Sequence, residues 1–438
     1  MLTAITRAFR TPDLRKKLLF TLAIIGLFRF GSILPSPGVH TENVSKCLAT
    51  AQAGDAGNIY GMVQLFSGGA LLKLSVFALG IMPYITASII LQLLTVVIPR
   101  LETLKKEGQA GTARITQYTR YLTIGLGVLQ STAFVALARS GQLFQGCNLP
   151  VLVNQDIITI VTMVLTMTAG TSVIMWLGEL VTDRGVGNGM SLLIFTQVIA
   201  VFPSYLLNIW RQSPASFVIV MVIGVFLVAA VVFVEQAQRR IPVQYAKRMV
   251  GRRMYGGTST YIPLKVNQAG IIPVIFASSV LYLPQLMVTM VGNTQNPNGI
   301  VTWLAQNLVT GDSAAYLITY FLLNVFFTYF YVSITFNPVE VSDNMKKYGG
   351  FIPGIRPGRP TAEYLHYVLG RLTAPGSLYL GLIAVVPILA FSMIGDAASQ
   401  QNFPFGGTSI LIMVGVGLDT VKQIESQLQQ RNYEGFLK

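Results

Sequence analysis

The chain has 438 residues, of which 52% are hydrophobic and only 11% are charged. Because a soluble protein carries about 25% charged residues, this composition excludes a soluble globular fold, a disordered chain and a collagen-like repeat. Lys and Arg number 31 against 17 Asp and Glu, a net charge of +14. In a membrane protein such an excess usually marks the loops that stay in the cytoplasm.

The hydropathy pattern predicts ten transmembrane helices, each about 20 mostly apolar residues long. We expect Pro203 to interrupt the fifth span and Asp419 to end the tenth, so that both are short. Arg29 lies late in the first span, where its side chain can reach outward to the membrane surface, and we assign it no special role. In chain order the spans lie near Leu18–Leu34, Ser75–Ile98, Gln117–Ala138, Ile157–Gly178, Gly189–Ile209, Ser216–Glu235, Gly270–Val291, Ala315–Phe336, Thr373–Ile394 and Thr408–Val421.

The charged loops predict the orientation. Lys and Arg concentrate in the N-terminus and in the even-numbered loops, including large loops at about 236–269 and 337–372. Positively charged loops stay in the cytoplasm, so we expect these loops and both termini to be cytoplasmic. The N-terminus shows neither a cleavable signal pattern nor a long transit peptide. This favours a bacterial plasma (inner) membrane, with a thylakoid membrane as the alternative.

A motif of the second span recurs in the seventh. Residues 80–88 and 270–278 both read G-I-x-P-x-I-x-A-S, and M-S-L-L-I at 190–194 corresponds to T-S-I-L-I at 408–412. Chance among apolar helices can explain either match alone, but two matches in corresponding spans favour duplication. Because five spans is an odd number, the second half (211–438) must be inverted relative to the first (1–210). Inverted repeats form transport pathways at their interface.

The sequence contains no motif for catalysis or cofactor binding. A phosphate-binding loop is absent, and the glycine-rich stretch 185–189 joins two membrane helices as a tight turn, without the strand that a dinucleotide site needs. His40 and His366 fall in loops on opposite sides of the membrane, so they cannot share a metal or a catalytic dyad. Cys47 and Cys147 lack metal-ligand spacing, and the sequence leaves their pairing open. We therefore expect no catalytic residue, no cofactor and no metal site.

Apolar residues on shared helix faces are more informative. Side chains three or four residues apart lie on one face of a helix, and the repeat should bring such faces together at the axis between the halves. Ordinary core or lipid-facing packing explains any one of these residues, whereas a ring of them at the axis would close a channel by excluding water. They are Ile81, Ile85, Met190, Ile194, Ile272, Ile275 and Ile412.

The apolar segment Ile59–Leu74 is too short to cross a membrane, and Gly68 and Gly69 separate it from the second span. Two interpretations are open: a surface helix in the outer loop, or a re-entrant plug in the outer mouth of a channel. Irregular backbone at membrane depth is tolerated only where it lines a cavity, so the second interpretation requires a channel.

Several longer motifs, spread over essentially the whole chain, resemble the SecY family of protein-conducting channel subunits. They are F-A-L-G-I-M-P-Y-I-T-A-S at 77–88, K-K-E-G at 105–108, Q-Y-T-R-Y at 117–121, R-G-V-G-N-G at 184–189, Y-A-K-R with G-R-R at 245–253, P-L-K-V-N-x-A-G at 263–270 and F-I-P-G-I-R-P-G at 351–358. The resemblance implies an all-α integral membrane protein. Its ten transmembrane helices would form two inverted five-helix halves, like a clamshell around a central pore.

The resemblance also implies roles for particular residues. The seven apolar residues named above would form the pore ring, where the family usually has isoleucine in place of Met190; methionine should still seal. The plug would comprise about 59–71. The lateral gate would open between spans two and three and spans seven and eight. The plug residues are Ile59, Met62, Leu65, Phe66, Gly68 and Gly69, the gate residues are Thr86, Gln92, Gln130 and Asn267, and the docking residues for a ribosome or a SecA motor are Arg252, Arg253 and Arg356.

The sequence and the resemblance together predict a passive, gated channel of the Sec translocon. It would pass unfolded secretory polypeptides across the membrane and release transmembrane segments laterally into lipid. Expected partners are SecE, SecG, the SecA ATPase, the ribosome, signal-peptide-bearing preproteins and membrane lipid, with no sequence-specific nucleic acid. The alternative is a five-plus-five inverted-repeat secondary transporter for a small solute. That alternative would need a charged or ion-coordinating cluster within the membrane, and the predicted spans are almost free of ionisable residues.

Overall fold

The fold is known from a computed structural model and is a helical bundle with a small sheet at one end. The structure describes residues 9, 11–52, 67–139, 141, 143–144, 147, 149–154, 156–212, 214–245, 248–250, 253–255, 259–291, 299–309, 313–394 and 407–434.

Long helices make up most of both halves of the chain. The first half contains α1 (Pro12–Ile33), α2 (Thr41–Gln52), α3 (Met82–Val97), α4 (Pro99–Lys106), α5 (Gln109–Arg139), α6 (Ile157–Arg184) and α7 (Gly189–Gln212). The second half contains α8 (Pro214–Gln236), β1 (Gln238–Tyr245), β2 (Arg248–Val250), β3 (Arg253–Tyr255), β4 (Ser259–Lys265), α9 (Ile272–Val291), α10 (Gly299–Leu304), a π-helical turn (Ala305–Val309), α11 (Ala314–Thr335), α12 (Pro338–Lys347), β5 (Gly350–Phe351), α13 (Arg359–Ile394) and α14 (Gly407–Glu434).

The ten predicted spans coincide with α1, α3, α5, α6, α7, α8, α9, α11, α13 and α14. Two expected helix ends are wrong. α7 continues through Pro203. The proline removes one backbone hydrogen bond, and packing of α7 against α1, α6, α8 and α14 stabilises the helix as a whole. α14 continues through Asp419, which is exposed and pairs with Lys265. That charge therefore marks the end of the apolar stretch and not the end of the helix.

Length and hydropathy identify the helices of the described residues that can cross a membrane. Six segments are both long enough and apolar enough to cross a membrane: α5, α6, α7, α8, α11 continued by α12, and α13. α3 and α4 form one further candidate, a span bent by 100° at its break. The chain is therefore a multi-pass membrane protein, and the count of ten spans stays a prediction.

A small sheet follows α8 and was not predicted from the sequence. β1 lies between β4 and β5 in an antiparallel arrangement, with Ile241 opposite Ile262 and Gln244 opposite Phe351. β2 and β3 pair separately as a hairpin. Ile241 and Val243 alternate with exposed residues along β1 and pack against α11, α12 and α13. This alternation is the sequence signal that could have found the sheet.

A disulfide joins Cys47 on α2 to Cys147 in the loop between α5 and α6, 100 residues later. The pairing that the sequence left open is therefore made in the structure. One residue before Cys47, Lys46 donates a hydrogen bond to Glu42, which lowers the pKa of that carboxyl.

The disulfide and the sheet lie at opposite ends of the bundle. α6 starts at Ile157, after the disulfide loop, and its 28 residues make a helix about 42 Å long. It ends at the Gly185–Gly189 turn, where a Cβ atom placed on Gly187 would lie 3.5 Å from Thr420 Oγ1 of α14. Thr420 is next to Asp419, which pairs with Lys265 at the end of β4. We call the two ends the disulfide end and the sheet end.

Candidate functional site

A cavity of about 540 Å³ opens at the sheet end of the bundle. Its mouth carries polar and charged side chains, among them Lys265 and Asp419, whose Nζ and Oδ1 atoms are 3.2 Å apart. Deeper in the bundle its wall is apolar, with Ile194 from α7, Ile275 from α9 and Ile412 from α14. The cavity therefore runs from a charged mouth to apolar residues of both halves.

The seven residues predicted for the pore ring belong to one apolar cluster at this depth. They come from α3, α7, α9 and α14 and from the residue that precedes α3. Burial at the end of a water-accessible cavity is what a dewetted constriction requires. Ile81, Ile85, Ile194 and Ile412 are 1% to 9% exposed, while Met190, Ile272 and Ile275 are half-buried against the same cluster.

The repeated G-I-x-P motif has the same local geometry in both halves. Gly80 and Gly270 have left-handed φ angles of 57° and 64°, a conformation that glycine adopts without steric cost. The carbonyl of Ile81 then accepts the N–H groups of residues 84 and 85, and the carbonyl of Ile271 accepts those of residues 274 and 275. Each motif thus starts a helix in the same way, which supports duplication over chance.

The second sequence match also corresponds in space. A Cβ atom placed on Gly189, at the start of α7, would lie 1.9 Å from the carbonyl oxygen of Gly178 in α6. A Cβ atom on Gly407, at the start of α14, would lie 1.9 Å from the carbonyl oxygen of Ile383 in α13. Only glycine allows these approaches, so the fourth and fifth spans meet in the way that the ninth and tenth do.

Residues 67–81, between α2 and α3, form consecutive turns inside the bundle. Leu74 is fully buried. A short β-bridge fixes these turns to the chain after α1: Ser36 donates its N–H to the carbonyl of Leu74 at 3.0 Å, and Val76 donates to Leu34 at 2.9 Å. We call this segment the re-entrant turns, since buried irregular backbone is typical of a re-entrant segment.

The plug prediction falls only partly on described residues. Gly68 and Gly69 stand near the start of the re-entrant turns with left-handed φ angles of 63° and 81°. The remaining plug residues, Ile59, Met62, Leu65 and Phe66, lie outside the described residues, and their role stays a prediction.

Arg29 is the residue whose contact the sequence analysis missed. Its Nη1 atom donates to the carbonyl oxygen of Gly68 at 3.2 Å, so the expectation that the side chain simply reaches the membrane surface is wrong. On the preceding residue of α1, Phe28 stacks on Phe77 with ring centroids 6.0 Å apart. Hydropathy shows only that a charge lies late in the span. It cannot show the hydrogen bond to the carbonyl of Gly68, which is 39 residues away along the chain. A charge within a membrane span is usually functional.

The residues predicted for the lateral gate occupy different surroundings. Thr86 donates to a carbonyl of its own helix, and Gln92 and Gln130 are half-buried. Asn267 donates to Glu235 Oε1 at 2.5 Å and so connects the chain before α9 to α8. α3 packs against α9, which closes the seam between the halves.

The F-I-P-G-I-R-P-G turn presents Arg356 at the sheet end. Ile352 is buried beneath the sheet, while Arg356 is exposed, and its carbonyl accepts a hydrogen bond from Thr361 Oγ1 at 2.8 Å. Of the other two predicted docking residues, Arg253 begins β3 and Arg252 lies outside the described residues.

The described residues contain no group of three or more His, Cys, Asp or Glu side chains that could hold a metal ion. His40 precedes α2 at the disulfide end, and His366 lies on α13 near the sheet end. The expectation of a loop position for His366 is wrong, because α13 begins at Arg359, well before the apolar part of the span.

These features define a class: a multi-pass helical membrane protein whose two halves enclose a cavity that ends in apolar residues. A sequence model of the SecY family matches residues 75–421. The chain is 66% identical to a protein translocase subunit SecY of Streptomyces galbus, with 100% of both chains covered. The chain belongs to the SecY family.

Solved structures share the fold. One titled "The structure of a protein conducting channel" has a TM-score of 0.62 at 20% identity and covers 94% of this chain and 91% of its own. Another, titled "Sec61 in the Canine ribosome-channel complex from the endoplasmic reticulum", has a TM-score of 0.57 at 19% identity with the same coverage.

Proposed function

We propose that this chain is the protein-conducting channel of a Sec translocon, and not an enzyme. It passes unfolded secretory polypeptides across the membrane and releases transmembrane segments laterally into lipid. The observation that carries the proposal is the apolar cluster shared by α3, α7, α9 and α14 at the end of the cavity. The name of the Streptomyces relative, a protein translocase subunit, supports it.

The seven ring residues form the seal of the resting channel. Aliphatic walls keep a narrow constriction dry, and a dry constriction blocks water and ions. Ile85, Ile194, Ile275 and Ile412 come from four helices, two from each half. Flexible aliphatic side chains also yield to a passenger of variable shape, whereas a fixed polar site would suit one small solute better.

Two further parts complete the gate. Residues of about 59–71 plug the mouth at the disulfide end, an assignment that the burial of the re-entrant turns supports. The lateral gate opens where α3 meets α9, with α5 and α11 beside them. Hydrogen bonds between membrane helices contribute only about 1 kcal/mol each, so hydrogen bonds made by polar side chains between α3 and α9 can break when the gate opens. The gate residues are Thr86, Gln92, Gln130 and Asn267.

Partners supply the energy at the sheet end. Arg252, Arg253 and Arg356 dock the SecA ATPase or the ribosome, and SecE and SecG are companion subunits. The exposed Arg356 on a hydrogen-bonded turn supports the docking role, as does the ribosome–channel complex formed by Sec61, a relative in fold. Co-purification with a small membrane subunit and a translocation ATPase would test this assignment.

The channel lies in a bacterial plasma membrane, with both termini and the sheet end in the cytoplasm. The positive charge of the N-terminus and of the loops at the sheet end supports this orientation. The bacterial source of the Streptomyces relative supports the plasma membrane over a thylakoid membrane.

Crosslinking to a trapped precursor tests the proposed path. A photoreactive residue at Ile412, which is 1% exposed, should crosslink to a secretory precursor that a folded domain has stalled in transit. The matched control is Leu382 on α13, which is 53% exposed on the outside of the bundle and should crosslink to lipid only. Precursor adducts at Leu382 and none at Ile412 would contradict a path through the ring.

The secondary transporter is not favoured. The comparisons point to a protein translocase subunit, and the described residues lack a cluster of acidic or histidine ligands for a coupling ion.

A further inference from the structure

Gln197 on α7 is buried without a hydrogen-bond partner. Its side chain is 1% exposed, and within the described part of the chain neither Nε2 nor Oε1 has a partner. A buried amide in this state destabilises the conformation that buries it, because it has lost its hydrogen bonds to water and gained none. The structure therefore carries an unfavourable contact at this position.

The backbone of Gly68 packs against the aliphatic stem of this side chain. A Cβ atom placed on Gly68 would lie 3.3 Å from both Cα and Cγ of Gln197. Arg29 holds the carbonyl of the same glycine at 3.2 Å. Arg29 thus holds Gly68 against Gln197, the residue whose buried amide lacks a hydrogen-bond partner.

Gln197 also lies next to the ring. Met190, Ile194 and Gln197 are spaced i, i+4 and i+7 along α7, so they share one face of the helix. α7 runs from the sheet end toward the disulfide end, which places Gln197 about one turn beyond Ile194 on the side of the re-entrant turns. A movement of Gly68 would therefore open space beside the side chain of Gln197, just past the constriction.

We infer that Gln197 is a positioning residue that biases the closed channel toward opening, and that Arg29 opposes it by holding Gly68. The inference rests on the proposed function, in which residues of about 59–71, Gly68 among them, plug the mouth and must leave it when the channel opens. Once Gly68 has moved, water or the backbone of a passenger hydrogen-bonds to the amide. An unsatisfied buried amide shifts the ratio of open to closed channels by a factor on the order of 5 to 150.

A buried cysteine reports the open fraction. Ala70, in the re-entrant turns, is 1% exposed, and the two native cysteines are paired, so Ala70→Cys introduces the only free thiol. In proteoliposomes its rate of maleimide labelling follows the fraction of channels in which the turns have opened.

Two substitutions of Gln197 should act in opposite directions. Gln197→Met keeps the shape and removes the unsatisfied groups, so labelling should slow by a factor on the order of 5 to 150. Gln197→Glu buries a charge under Gly68, so labelling should accelerate. Thr196→Val is the matched control: Thr196 is buried on the same helix, but its hydroxyl already donates to the carbonyl of Leu192 at 2.8 Å.

A purely structural role gives a different result, because both substitutions would then loosen the packing and accelerate labelling. Labelling of Gln197→Met at or above the parent rate, with Thr196→Val at the parent rate, overturns the inference. A lower melting temperature for Gln197→Met also overturns it, since that result would mean that the amide has partners in the closed state.

A stalled precursor separates this inference from the proposed function. If labelling at position 70 does not rise when a precursor is trapped in the parent channel, the re-entrant turns do not gate the mouth, and both proposals fail. If labelling rises with the precursor but Gln197→Met leaves the resting rate unchanged, only the role of Gln197 fails.

Discussion

The two ends of the bundle are built differently. At the disulfide end, Leu72, Phe144 and Met163 belong to an apolar cluster that includes Cys47, and a covalent bond ties the loops together. At the sheet end, a cavity opens between charged side chains, and strands and an exposed arginine project beyond the helices. One end is packed and the other is open.

Under the proposed function, this difference separates the part that holds the channel shut from the part where partners act. A seal needs dry apolar packing, a role that we propose for the ring and the disulfide end. Docking of a charged partner needs exposed charges at fixed positions, which the sheet end provides. Substitutions at one end should therefore change leak and stability, whereas substitutions at the other should change coupling to partners.

The largest effect is expected from breaking the seal. Ile194→Asn combined with Ile412→Asn places amides from both halves in the constriction, so water should enter and resting conductance should rise on the order of a hundredfold. Planar-bilayer current without a passenger measures this. Ile194→Val combined with Ile412→Val keeps the wall apolar and should stay within about twofold of the parent. A silent bilayer with the double-Asn protein inserted would place the gate elsewhere.

Removal of the disulfide should lower stability at the packed end. Cys47→Ser with Cys147→Ser frees a loop of 100 residues, which should decrease the free energy of unfolding by about 2–4 kcal/mol. Thermal melting in detergent, with and without reductant, measures the change, and the double mutant should not respond to reductant. A membrane-impermeant reductant should act on the parent from outside the cell only; action from the cytoplasmic side would reverse the proposed orientation.

Charge reversal at the open end should block coupling and leave the seal intact. Arg356→Glu should reduce SecA-driven translocation on the order of tenfold, about 1.4 kcal/mol, without raising resting current. Arg359→Glu is the matched control: Arg359 is close in sequence and its side chain is 90% exposed, but it is paired with Glu363 in the structure. Normal translocation by Arg356→Glu would remove Arg356 from the docking residues.

The smallest effect is expected at the rim of the cavity. Lys265 and Asp419 form an ion pair whose side chains are 40% and 57% exposed, so Asp419→Asn should change the free energy of unfolding by at most about 1 kcal/mol. The difference should vanish in high salt. A loss well above this, measured by denaturant melting, would mean that the rim is a structural part of the bundle.

The sequence predicts the helices of the ten proposed spans well, because each depends on local hydropathy. All ten coincide with helices, and both repeat matches acquire the same geometry in the two halves. The errors occur where a local sequence signal suggests a helix end but the folded chain continues the helix. Pro203 lies inside a continuous helix that packs against four neighbouring helices, and His366 lies on a helix that extends beyond the apolar core.

The candidate site is predictable only in part. The ring residues follow from the repeat and from the family resemblance, and the structure places them in one cluster. Arg29 and Gln197 could not be found in this way, because each is singled out by its contact with the backbone of Gly68. Gly68 is 39 residues from Arg29 along the chain, and no periodicity in the sequence records such a contact.

The bond between Cys47 and Cys147 has a consequence for biosynthesis. It closes a covalent ring that contains the re-entrant turns, α3, α4 and α5. The ring can form only after the chain has been made as far as Cys147, with both cysteines on the same side of the membrane, so α3 and α5 must be inserted before it closes. A protease that cuts once between the two cysteines would leave the fragments joined until a reductant is added. The first and third loops therefore mature as one covalent unit.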